Sequence, residues 1–328
     1  MRRRHARRAL AAVLPLVVLH TVLWLVASAW VDVTFDAHEF RLRERGWKID
    51  HGAKQHGGWP FAARIAVADL RLVQGTGNQS WQSAGFEVSF DARHPTRVDV
   101  TLAGPHVASI PGYTPVQISG PPIHAEITLR DLPQTRVMAR DLHLRTAAGI
   151  VALGAMDILV EHDPRSSRPM DSVLLHGTAE ELDLGGLLPS SAMGSRFEQI
   201  SLGAGFTGLG IPRPEPRAWR EAGGRLTIDR LAFRWGRLDF ELGGVFGLDA
   251  KLQPEGSGMM AAGGLPEAID AMVGAGMIPP GSARTAKALL MLLPRTPDGK
   301  LTLPIALKNR TVSAARLPVG VIPEIGWQ

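Results

Sequence analysis

The chain contains no cysteine. That excludes a disulfide framework, thiolate catalysis and cysteine-based zinc sites. It is compatible with an oxidising compartment but does not require one. Lysine is scarce too, with six against 30 arginines, most simply a mark of codon bias. Acid is missing altogether from residues 1–29, where the charged residues are Arg2, Arg3, Arg4, Arg7 and Arg8. These five account for the whole formal surplus of +5, and residues 30–328 are formally neutral. A polyanion-binding surface needs a basic body, so nucleic acid is not an expected partner.

What is present is apolar and punctuated. Hydrophobic residues make up 45% of the 328 and charged residues 20%, which is too apolar for a disordered chain. The length suits one large or two ordinary domains. The 36 glycines and 24 prolines interrupt apolar runs and do not form a low-complexity tract. That is the habit of a protein with many strands and turns.

After the arginines, Ala9–Val31 runs for 23 residues without a formal charge. His20, Thr21 and Ser28 are its main polar interruptions. As a helix it spans about 34 Å, enough for a hydrocarbon core of about 30 Å. Trp24 and Trp30 suit the far interface, and the arginine cluster should stay cytoplasmic. Two readings remain open: an uncleaved signal anchor, or a signal peptide cleaved near Ala27-Ser28-Ala29. The apolar stretch exceeds the usual 7–15 residues of a signal peptide, which favours the anchor.

Residues 32–46 look helical, with Gly46 as the stop, and His51–Gly58 is a loop. Period-two alternation then dominates, as in Arg64–Val73, Ala84–Phe90, Arg97–Ala103, Ile123–Arg130, Arg136–Arg145, Val151–Val160, Ser172–Leu184, Arg225–Trp235, Leu238–Leu248 and Lys300–Leu307. Such alternation gives strands with one apolar face. Trp235-Gly236-Arg237-Leu238 reads as a two-residue hairpin. It puts Leu231, Phe233 and Trp235 on the same side as Leu238, Phe240 and Leu242.

An acid followed by apolar residues two apart recurs at Asp69-Leu70-Arg71-Leu72, Asp141-Leu142-His143-Leu144, Glu181-Leu182-Asp183-Leu184 and, loosely, at Asp229. Alternation changes phase near the first and last of these, the expected mark of a β-bulge. Ile211–Arg220 carries three prolines and is the best internal boundary. Leu265–Ala275, and a second helix capped by Ser282 and ending near Leu293, form an expected helical hairpin.

Catalytic and cofactor motifs are scarce. Gly203–Gly208 matches G-x-G-x-x-G, but Gly210-Ile211-Pro212-Arg213-Pro214 follows where a phosphate-binding helix would have to start. A glycine-rich strand or turn is the expectation. His51 and His56 beside Asp50, and His38 beside Glu39, invite a metal, yet no single element supplies three ligands. The acids alternate along strands as an outward face would require. No catalytic residue, cofactor or metal ligand is assigned.

Trp59-Pro60-Phe61 ahead of Asp69-Leu70-Arg71-Leu72 resembles the start of the DUF2125 family. Gly223-Gly224-Arg225-Leu226, Leu231–Gly236 and Leu317-Pro318-Val319-Gly320 resemble its C-terminal part. More distantly, the anchored, strand-rich layout is similar to AsmA-like envelope proteins. That wider similarity implies a periplasmic β-groove with an apolar interior, associated with lipid handling. The family brings no established catalytic residues.

The expected fold is therefore mainly β: an N-terminal transmembrane helix, then a long curved antiparallel sheet or groove with the C-terminal helical hairpin packed on it. The expected layout is a cytoplasmic tail 1–8, a span 9–31, a helix and loop 32–58, periplasmic β-rich residues 59–210, a boundary 211–220, and a second β-rich region 221–328 with the hairpin at about 265–293. The candidate apolar groove or core face is Leu231, Phe233, Trp235, Leu238, Phe240, Phe246, Met272, Leu289 and Leu293. Met259, Met260, Met277 and Met291 join the cluster around the hairpin, and methionine adapts to acyl chains as readily as it packs a core. The expected function is non-enzymatic binding of lipid or a lipid-like ligand by an inner-membrane protein. The alternative is an envelope scaffold that binds a protein partner.

Overall fold

The computed structural model describes residues 2–75, 79–110, 112–129, 132–163, 172–187, 193–208, 215–276, 278–291, 295–297 and 299–327; for residues 2–17, 289, 317 and 319 it describes the backbone alone. The chain is mostly antiparallel sheet with one N-terminal apolar helix and C-terminal helices. It divides into two compact units, Met1–Arg130 and Asp131–Gln328. The Pro-rich stretch 211–220 falls inside the second.

The first unit opens with helix α1 (Arg2–Glu44). It ends where expected, at Gly46, whose φ of +85° suits a residue without a Cβ. Seven strands follow: β1 (Trp47–Asp50), β2 (Gln55–Gly57), β3 (Ala62–Gln74), β4 (Ser80–Asp91), β5 (Arg97–Ser109), β6 (Val116–Ser119) and β7 (Ile123–Thr128). The short strands β1 and β2 share one edge of β3, and β6 and β7 share the far edge of β5, around a β3-β4-β5 centre. Cross-strand pairs put apolar residues in register. Ile65 faces Val88, Val88 faces Val100, Phe90 faces Val98, and Val98 faces Ile127. Such rows are the unit of sheet stabilisation, and here they make one continuous apolar face.

α1 lies on that face. Val31 packs with Ala63, Ile65 and Val67, flanked by Ala27, Phe35, Phe86, Val88 and Phe90. Ile65 is fully buried. Ala27, Val31 and Phe35 follow the four-residue spacing of one helix stripe. The opposite side of the helix stays apolar and exposed, at Val22, Leu23, Leu25, Val26 and Val33.

The second unit is a meander of ten consecutive antiparallel strands: β8 (Gln134–Thr146), β9 (Gly149–His162), β10 (Val173–Asp183), β11 (Arg196–Phe206), β12 (Leu226–Trp235), β13 (Leu238–Leu248), β14 (Pro254–Gly263), β15 (Leu301–Lys308), β16 (Thr311–Ala314) and β17 (Leu317–Val321). The short helix α2 (Pro216–Glu221) precedes β12. α3 (Leu265–Gly274) and α4 (Pro280–Met291) lie between β14 and β15. α4 begins at Pro280, so Ser282 sits in its first turn and does not cap it. Proline suits that start because its missing N–H is not needed there. Gly203 and Gly205 lie within β11, so the G-x-G-x-x-G match is strand there and opens no helix. Met259 and Met260 belong to β14 and not to the hairpin.

Three of the four acid motifs share one backbone cause. Asp69, Asp141 and Glu181 all adopt left-handed φ, at +52°, +49° and +54°. In β3 the residues facing α1 are Ala63, Ile65 and Val67, then Leu70; strict alternation would have turned Asp69 inward. The expected one-residue slip against the neighbouring strand does not occur at Asp69. β3 keeps its register with β4 from Ala62 to Val73, because β4 changes phase at the same level. Only at Asp229 do both neighbouring ladders shift register. Each device keeps the apolar side chains on one face of a long strand.

Candidate functional site

Because α1 covers only part of the first unit's apolar face, a slot remains beside it, about 380 Å³ in volume. The helix contributes Trp30, Val31, Thr34, Phe35, His38, Glu39 and Leu42, and the sheet contributes Ile49, Leu70, Leu72, Phe86, Val88, Val98, Val100, Ile127 and Leu129. Of these sixteen residues only Thr34, His38 and Glu39 carry polar side chains, and all three lie on one stretch of α1. The volume is within the roughly 300–1,000 Å³ of small-molecule sites, whose walls are typically apolar with a few polar groups. From Trp30 to Leu42 the slot follows the helix for about 18 Å.

The αL bend at Asp69 helps build this wall. Past it, Leu70 and Leu72 point into the slot, where unbroken alternation would have placed Asp69 and Arg71.

Polar ties hold α1 over the sheet. His20 Nε2 meets the Pro60 carbonyl at 2.6 Å, and Trp24 Nε1 donates to the Ala62 carbonyl at 2.7 Å. Lys54 pairs with Asp32 at 3.0 Å and with Asp36, and its ammonium lies 5.2 Å from the Phe35 ring centre. Arg43 bridges Glu39 at 2.5 Å and donates to the Ile49 carbonyl at 3.2 Å. Glu39, 12% exposed, also has His51 Nε2 at 3.6 Å. The only carboxylate lining the slot is thus held by two basic groups along its rim. Phe35 is wedged edge-on between His51 and the Phe86 side of the sheet.

Among the described residues, no group of three His, Asp or Glu side chains converges as a metal site would need. One buried titratable side chain stands apart. His106 on β5 is 1% exposed, packs on Trp81 at 5.3 Å, and neither ring nitrogen has a hydrogen-bond partner. Burial pushes its pKa below the ordinary value.

The sequence-predicted residues lie in the second unit. Leu231 faces Leu242, Phe233 faces Phe240 and Trp235 faces Leu238, so they share one face as the hairpin reading requires. Gly236, first in the loop, has φ +55°. Their aromatic rings fill that face themselves. Phe197 stacks on Trp235 at 5.1 Å, Phe233 stacks on Phe240 at 4.7 Å, and Phe197 meets Phe233 edge-on at 5.7 Å. Phe246 covers glycines: a Cβ on Gly256 would fall 2.6 Å from its ring. Met272 is half-buried on α3. The side chain of Leu289, all of Leu293 and Met277, and the side chains of Arg2, Arg3, Arg4, Arg7 and Arg8 lie outside the described residues. A recess of about 510 Å³ in the second unit includes Phe246 and Val245, but Arg220, Arg225, Glu255 and Lys308 line it as well. It is larger than the slot but of mixed chemistry, so the slot is the better candidate for an apolar ligand. Sequence reasoning passed over the slot because its wall is gathered from six separate elements. The available signal was the alternation in residues 84–103, read together with the stripe hidden in the apolar run.

Fold and site together define an apolar-slot protein: a helix long and apolar enough to cross a membrane, laid along one apolar face of an antiparallel sheet. The chain belongs to the DUF2125 family, described as "Uncharacterized protein conserved in bacteria", whose model matches residues 24–323. That match takes in the docked part of α1 and every strand of both units. No curated protein and no solved structure matches the chain.

Proposed function

We propose that this protein is a single-pass, membrane-anchored protein of the bacterial envelope that binds a lipid acyl chain, without catalysis, in the slot between α1 and β3-β4-β5-β7. The observation that carries the reading is the slot's lining, apolar on every sheet-borne position and polar only along one stretch of the helix. Sheltering an acyl chain from water there is worth about 0.8 kcal/mol per methylene. The arginines at the start of α1 support an orientation with the N-terminus cytoplasmic and the strands on the far side. The role is of the kind associated with AsmA-like envelope proteins.

The test is native mass spectrometry of the detergent-extracted full chain, compared with a Val100→Arg variant. Val100 lies half-buried in the slot wall on β5, where arginine would put a charge against the bound chain. The expected result is bound phospholipid on the wild-type chain and at least a tenfold loss in the folded variant. A wild-type chain that carries no lipid and takes none up on incubation would sink the reading. Recovery of one stoichiometric envelope protein in place of lipid would point to the scaffold role.

A further inference from the structure

The end of the first unit's sheet nearest the N-terminus of α1 is built unlike a water-facing end. Trp59 and Phe61 are 58% and 54% exposed, side by side in the loop that opens β3. The loop is tied to the helix inside its apolar run, by His20 to the Pro60 carbonyl and by Trp24 to the Ala62 carbonyl. The neighbouring helix residues Val18, Leu19, Val22 and Leu23 are also exposed. Helix and loop therefore present one continuous apolar surface.

The helix fixes how deep that surface must lie. His20 is about 18 Å along the axis from Arg8 and about 27 Å from Arg2. With either arginine at the inner boundary, a hydrocarbon core of about 30 Å reaches past His20. Tilting the helix only lowers His20 further. Pro60, bonded to His20, goes with it. Trp24 is about 6 Å higher, so the Trp59-Pro60-Phe61 loop falls between the outer half of the hydrocarbon and its outer margin. Tryptophan and other amphipathic rings concentrate at that depth. Arg93 stands 5.2 Å from the Phe61 ring centre, where headgroup phosphates would begin.

We propose that Trp59 and Phe61 are a membrane-seating element, inserted into the leaflet of a phospholipid bilayer that faces the body of the protein. One edge of the slot lies at the same end of the sheet. Leu129 in its wall is 41% exposed and donates its N–H to Thr96, in the loop next to Ala92, which in turn donates to the Phe61 carbonyl. Seating therefore holds that edge of the slot against the leaflet, so an acyl chain passes from bilayer to slot without crossing water. This deepens the proposed function and rests on its reading that α1 spans the membrane.

The absence of native cysteine makes single-label experiments unambiguous. Val22→Cys, Phe61→Cys and Tyr113→Cys, each carrying a nitroxide in the full chain, are placed in nanodiscs of phosphatidylcholine and phosphatidylglycerol. Accessibility to oxygen is then compared with accessibility to a nickel chelate. Tyr113, 77% exposed beyond the far end of β5, is the aqueous reference. The expected result is oxygen above nickel at 22 and 61, and the reverse at 113. Trp59→Cys repeats the reading from the neighbouring aromatic. A label at 61 and 59 as open to nickel as the one at 113, with 22 still in lipid, overturns the seating and leaves the span intact. An aqueous label at 22 overturns the span, and the seating falls with it.

Discussion

The two units start from the same material and finish it differently. Both are antiparallel sheets with one apolar face, and both hold that face in phase with left-handed acids, Asp69 in the first and Asp141 and Glu181 in the second. In the second unit the predicted face is filled by its own rings, Phe197, Phe233, Trp235 and Phe240. In the first unit the strands facing α1 carry mainly Val, Ile, Leu and Ala with few rings, and a helix supplies the missing cover. Rings stacked on one another occupy the second face, whereas in the first a helix lies on the aliphatics and leaves room beside it. The slot is a consequence of that choice of side chains as much as of topology.

The largest effect that can separate the units comes from their most deeply buried aliphatics. Ile65→Ala and Leu301→Ala each remove a side chain at most 2% exposed. Each should cost about 2–5 kcal/mol, read by chemical denaturation. Only Ile65→Ala should also lose bound lipid, because only Ile65 seats α1 beside the slot. Equal lipid loss from both would erase the distinction.

Next come the left-handed acids. Asp69→Val and Asp141→Val force a β-branched residue into positive φ and should each cost about 1–3 kcal/mol. Asp→Gly at the same positions should be neutral or mildly stabilising. If Asp69→Val is tolerated, the slot wall does not depend on the bend.

A smaller, pH-gated effect belongs to the first unit alone. Burial lowers the pKa of His106 from its ordinary 6.5, so the fold holds it neutral while the unfolded chain takes up a proton. Its contribution to stability is complete above about pH 6.5 and declines as the pH falls below it. His106→Leu should remove that slope from thermal melts between pH 7 and 5; an unchanged slope would assign it to other groups. The smallest effect is Trp24→Phe, which keeps the ring but loses the bond to Ala62. About 0.5–1.5 kcal/mol is expected from the same melts.

Much of the fold was legible because alternation survives in most strands, and the Trp235–Leu238 hairpin could be placed to the residue. What was missed has definite causes. β14 (Pro254–Gly263) carries three glycines, and glycine contributes no side chain to an alternation. β11 ends in a glycine-rich run for which strand and turn were equally open. The slot was hidden by uniformity. In an apolar run, a stripe at Ala27, Val31 and Phe35 that packs on protein looks no different from a face meant for lipid.

That shared helix has a consequence for how the protein could be turned over. Val31 belongs to the core of the first unit, and His20 and Trp24 are bonded to its β3 end. A peptidase cutting after Ala29 would remove both hydrogen bonds and shorten the helix to a few turns. Shedding would therefore cut the slot loose from the bilayer edge of the sheet without removing its lining. Every helix residue that lines the slot would stay on the remaining piece, held by Val31, Phe35 and the Lys54 and Arg43 pairs.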